Sequence, residues 1–180
     1  VASGKYSRIG GIAGNSYGKS TTFESCRNYG TITVGNNLGG IIGQAELGCT
    51  ITGCTNYGSI SGSVNNSGGI IANAAKAVTI TGSANYGTVS SGTAAGFIGT
   101  GGATVTMQDC LNAGDISGTS HTGGFVGWTN GVYTLTDCVT IGALSNTGNN
   151  IGGVGGVISN DNTALKNVYC FGSVFTTAME

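Results

Sequence analysis

Six cysteines, two aspartates set one repeat apart, one histidine and one tryptophan are the residues of this 180-residue chain that could do chemistry. Cys26, Cys54, Cys110 and Cys138 occupy one position of a recurring pattern, with Ser83 and Val168 filling its other copies. Stacked thiols could ligate a soft metal or pair as disulfides. Serine and valine in the same place can do neither, so the series reads as small buried thiols packing a corner of the core. There is no CxxC pair and only one histidine, which argues against zinc. Cys49 and Cys170 fall outside the series and look incidental. Asp109 and Asp137 also share one position, and in adjacent coils their carboxylates would lie roughly 5 Å apart. Such a pair could hold calcium or act as acid and base. The same position elsewhere carries Ser25, Gly53, Gly82 and Asn167, all turn formers, so turn-capping aspartates are the default. His121 has no serine or cysteine in a recognisable arrangement and reads as a solvated loop residue rather than a general base. Trp128 stands where other units have Asn15, Gln44, Asn73 and Thr100. That points it outward, as a contact residue or as ordinary edge packing.

The repeat that positions these residues is written in glycine. A box reads GGIAG at Gly10, GGIIG at Gly39, GGIIA at Gly68, AGFIG at Ala95 and GGFVG at Gly123, with a less clear sixth copy from Gly152 or Gly155. A second box ends at Gly30, Gly58, Gly87, Gly114, Gly142 and Gly172, at steps of 28, 29, 27, 28 and 30 residues. Each unit holds three short apolar segments broken by Gly, Asn and Asp turns, which describes one triangular coil. One apolar ladder is Ile32, Ile60, Val89, Ile116, Leu144 and Val174; another is Phe23, Ile51, Ile80, Met107, Leu135 and Leu165. The pattern predicts an all-β fold, a right-handed, three-sided parallel β-solenoid of about six coils of ~28 residues. A propeller blade needs a longer unit, and a sandwich has no reason to repeat its turns in register. The expected coils run over 8–35, 36–63, 64–92, 93–119, 120–147 and 148–180, as one solenoid domain over 1–180. Neither end carries an evident cap, which leads us to expect a fragment of a longer chain with further domains.

Composition agrees and excludes several functions. There are 36 glycines and no proline, and only 7% of residues are charged, against about 25% in ordinary domains. With 39% hydrophobic residues and a net charge of −1, the chain is neither disordered nor collagenous. Six Lys and Arg cannot make the basic stripe that nucleic acid requires. No segment approaches the ~20 apolar residues of a membrane helix.

The Gly-Gly-hydrophobic-hydrophobic-Gly box, the Thr-rich strand and the Cys-x-Asn-Tyr-Gly turn resemble GLUG-motif repeats. The resemblance covers five units well and the sixth loosely, departing at Ser83, Ala113, Ile141 and Phe171. It implies a bacterial surface or secreted protein of adhesin-like type, and it implies no catalytic residue and no cofactor.

Two further sets of positions bear on binding. Asn28, Asn56, Asn85 and Asn112 align and suit a hydrogen-bonded turn ladder. Tyr29, Tyr57 and Tyr86 align beside them, as a structural row or as a stripe for stacking sugars. Outward Thr-x-Thr pairs at Thr50, Thr79 and Thr134 resemble ice-binding faces, with Glu24, Gln108 and Lys166 as interruptions. The expected function is a non-enzymatic adhesive or stalk module outside the cell. It would meet a glycan or a host protein on a face rich in Thr, Ser, Asn and Tyr, with Trp128 and the three tyrosines as contacts. The alternatives are a carbohydrate-active enzyme of parallel β-helix fold, a pure spacer, or an ice-binding solenoid.

Overall fold

The structure is a computed structural model, and it describes residues 7–18, 21–33, 35–62 and 66–176. All regular structure among these residues is β-strand, and every strand pairing is parallel. The strands form three sheets, each collecting one side of successive coils, so the chain is a parallel β-solenoid of about six turns. Sheet A holds the strand after the Asn-Tyr-Gly turn and the strand that enters the glycine box. Sheet B holds the strand that leaves the box, and sheet C the Thr-rich strand and its continuation past a corner. No helix among the described residues is long and apolar enough to cross a membrane.

The register follows the repeat. Ile60 pairs with Ile32 and Val89, Ile116 with Val89 and Leu144, and Leu144 with Val174. Phe23, Ile51, Ile80, Met107, Leu135 and Leu165 pair in the same unbroken sequence on sheet C. Alternation along Cys49–Thr52 is buried, exposed, buried, exposed, because successive strand residues face opposite ways. The larger core lies between sheets B and C, around Ile41, Ile42, Ile51, Phe97, Phe125 and Tyr133. A second, narrower core behind sheet A contains Ile32, Leu38, Ile60, Val89, Ile116 and Leu144.

The sharp corner of sheet C is a left-handed residue in every coil: Ser25, Gly53, Gly82, Asp109, Asp137 and Asn167, with φ between 52° and 61°. Small polar residues and glycine tolerate that conformation best. Asp109 and Asp137 therefore stand where the backbone needs a turn former. Asn167 Nδ2 donates to Asp137 Oδ1 at 2.8 Å, and the described residues contain no group of three or more His, Cys, Asp or Glu able to hold a metal ion.

Three ladders stiffen the stack. Asn28 Nδ2 donates to Asn56 Oδ1, Asn56 to Asn85 and Asn85 to Asn112, at 2.8, 2.8 and 2.9 Å, and each also donates to the carbonyl two residues on. Thr140 takes the next position, with its buried hydroxyl unpartnered, and Cys170 follows in coil six. The second glycine of the box lies over this ladder in all six coils. A Cβ on Gly40 would sit 2.4 Å from the Asn56 amide carbon, and one on Gly153 would sit 2.6 Å from Cys170. All six thiols are free, and Cys54, Cys110 and Cys138 are buried. Their Sγ–H groups donate to nearby carbonyls, as small core residues would. A hydrogen bond with Cys138 and burial push the Cys110 thiol up, while that same bond brings its partner Cys138 down. Cys49 belongs to an interior ladder of its own, with Thr21, Val78, Val105 and Tyr133.

Candidate functional site

Sheets A and B meet almost backbone to backbone. The last glycine of the box makes this possible: a Cβ on Gly43 would lie 2.6 Å from the Ile9 nitrogen, and one on Gly127 2.6 Å from the Thr93 methyl. Only small residues occupy this position in the six boxes, with Ala72 in coil three. The close approach leaves a cleft along the outside of the A–B junction, with one side chain from each coil on each wall.

The sheet A wall is the row Arg8, Asn37, Asn66, Thr93, His121 and Asn150, each paired in register with the next. The sheet B wall is Asn15, Gln44, Asn73, Thr100, Trp128 and Val157. Toward coil one the cleft is closed by polar contacts. Arg8 meets Glu46 at 3.5 Å and donates to the Tyr17 hydroxyl at 3.0 Å, and Gln44 Nε2 donates to Glu46 at 2.5 Å. Toward coils three to five it opens into a cavity of about 350 Å³ lined by Asn66, Thr93, Thr100, His121 and Trp128.

Trp128 thus points outward as expected, but it is half-buried in this cleft rather than free on a flat face. His121, read from sequence as a loop residue, lies on a strand across the cleft from it. Asn150 Nδ2 contacts His121 Nδ1 at 3.1 Å. With the amide as donor, Nδ1 accepts and the ring proton sits on Nε2, leaving a second polar group for the cleft. None of the five lining residues is a carboxylate, an amine or a guanidinium, and all five carry a group that can donate or accept a hydrogen bond.

The sheet A wall was not visible as a set in the sequence. Its signal was there, since Arg8, Asn37, Asn66, Thr93, His121 and Asn150 all stand two residues before a box. In coil four a register irregularity between Ser91 and Thr93 turns Thr93 to the cleft while Ala94 enters the core behind sheet A.

The tyrosines lie elsewhere and in a different posture. Tyr29 and Tyr57 are stacked with centroids 4.9 Å apart, and Tyr57 and Tyr86 with centroids 5.2 Å apart. Their faces are turned to one another along the axis, so the row offers ring edges and hydroxyls to solvent, and Tyr57 has no free face for a sugar. Asp109 and Asp137 sit at the sheet C corner, and neither lines the cleft.

Compared with known protein families, with curated proteins and with solved structures, the chain gives no match.

Proposed function

We propose that the chain is a non-enzymatic binding module for neutral glycans, carried by a bacterial surface or secreted protein, and that the sugar docks against Trp128 in the A–B cleft. The observation that carries this reading is the cavity itself. A single indole shares about 350 Å³ with Asn66, Thr93, Thr100 and His121, and among the described residues no carboxylate, amine or guanidinium lines it. An aromatic ring offers an apolar face to the C–H face of a pyranose, while amides, hydroxyls and imidazole meet its hydroxyls. The volume lies within the range of small-ligand sites. The lack of a lining carboxylate favours binding over glycoside hydrolysis, which uses a pair of them. The extracellular setting rests on the resemblance to GLUG repeats, which also suggests further domains in the same protein.

Trp128 is the single tryptophan of the chain, so its emission reports on the cleft directly. Titration with neutral oligosaccharides should shift or quench that emission saturably. Thr93→Val and His121→Ala should weaken the response without changing the far-ultraviolet circular dichroism, and acidic glycans should be poorer ligands. A folded protein whose emission answers to no glycan, in a broad array as well as in titration, would defeat the proposal and leave the spacer reading in front.

A further inference from the structure

We propose that sheet C carries a second binding surface, independent of the cleft, whose ligand is ice. Thr22, Thr50, Thr79, Thr106 and Thr134 pair in register through five consecutive coils. Four of them are exposed and the fifth half-buried, all on the outward side of the sheet. Thr106 closes what reads in sequence as a gap, so the interruptions at Glu24, Gln108 and Lys166 fall in the neighbouring row alone. That second row still repeats threonine at Thr52, Thr81 and Thr136.

Strand propensity accounts for a threonine at any one of these sites. It does not account for one residue type held through five coils while the adjacent row drifts to Glu24, Gln108 and Lys166. Nor do internal hydrogen bonds: none of the five hydroxyls has a protein partner among the described residues, whereas Thr21, Thr122 and Thr129 do. The row therefore presents methyl and hydroxyl groups to water alone.

The array is also regular. Stacked tyrosine rings in successive coils are only 3° and 6° from parallel, so neighbouring coils are related almost by pure translation. Threonines then repeat at ~4.8 Å between coils, and at ~6.7 Å along the three strands that carry Thr50 and Thr52, Thr79 and Thr81, and Thr134 and Thr136. Both distances lie close to oxygen repeats on the growth faces of hexagonal ice. A β-branched side chain is held in few rotamers, so the face is ordered before it meets the crystal. Beside the row, Thr22, Thr50, Thr79, Leu47 and Ala77 line a trough of about 310 Å³. Methyls that favour caged water, set beside hydroxyls that anchor it, would hold a layer that merges with an advancing ice face.

The test grows a single ice crystal in a solution of the purified chain and reads crystal shape and the gap between melting and growth temperatures. The expected result is faceted growth with a measurable gap. Thr79→Lys and Thr106→Lys should each abolish both, with circular dichroism and melting temperature as in the parent, and Trp128→Ala should keep both. Round crystals and no gap with folded parent protein would overturn the proposal, and so would a gap that survives both lysine substitutions.

Discussion

The rings of Tyr29 and Tyr57 lie 4.9 Å apart and 3° from parallel, although 28 residues separate them in the chain. That relation is the coil translation made visible in one pair of side chains. It also decides what the row can do, because rings that face each other stabilise the stack and leave only their edges to a ligand. Tyr57 is stacked on both sides. Tyr57→Ala should cost about 1–2 kcal/mol in denaturant unfolding, while the response of Trp128 to neutral glycan stays at its parent value.

The asparagine ladder should be the most sensitive polar element. Asn56 makes three buried side-chain bonds, to Asn28, Asn85 and the Gly58 carbonyl. Asn56→Ala strands the groups it leaves behind and should lower stability by about 3 kcal/mol or more. The opposite change is available three coils on. Thr140 carries a buried, unpartnered hydroxyl below Asn112, and Thr140→Asn should extend the ladder and add about 1 kcal/mol. Equal effects of the two substitutions on the unfolding midpoint would refute the ladder account.

Glycine is required where the box crosses that ladder. A methyl on Gly40 would meet the Asn56 amide at 2.4 Å and the Gly69 carbonyl oxygen at 2.1 Å, and backbone cannot yield cheaply. Gly40→Ala should therefore destabilise by roughly 3 kcal/mol or abolish folding. Gly82 makes the control, since it has a φ of 57° with open space around it, and Asp109 and Asp137 already occupy equivalent corners. Gly82→Asp should be nearly neutral in the same melting experiment.

Alkali should loosen the fold. Burial pushes the Cys49 thiol from its ordinary 9.0 up to about 12, and burial also raises the Tyr133 phenol. The folded chain then keeps protons that the unfolded chain releases. This contribution is complete below pH 9 and is lost as pH rises toward 12, at no more than about 1.4 kcal/mol per pH unit for one group. The unfolding midpoint should fall across that window. Cys49→Val, which copies Val78 and Val105 of the same ladder, should flatten the fall.

Much of this architecture was legible in the sequence because each coil copies the last. The six closing glycines marked the period, and Ile60 or Ile80 could be placed inward by alternation alone. The corner at Asp109 was readable from Gly53 and Gly82 at the same site. The functional surfaces were harder, for identifiable reasons. The sheet A wall mixes Arg8, Asn37, Thr93 and His121, so no residue type announces it, and its orientation in coil four depends on an irregularity at Ser91 and Thr93. The threonine row reads as interrupted when Thr-x-Thr pairs are compared strand by strand, because Gln108 hides Thr106. Trp128 could be turned outward from its box, but the cleft around it exists only because sheet A folds back on the glycines of sheet B.

Every strand lies across the axis of the stack and every interstrand hydrogen bond along it, as from the Ile60 amide to the Thr88 carbonyl at 2.8 Å. Tension between the two ends therefore pulls these bonds lengthwise and reaches them one coil at a time. Each coil that peels away frees about 28 residues, roughly 95 Å of extended chain, before the next is strained. Under flow or traction the solenoid would act as a tether that lengthens in steps and dissipates work at each one, while the coils not yet peeled keep their surfaces intact.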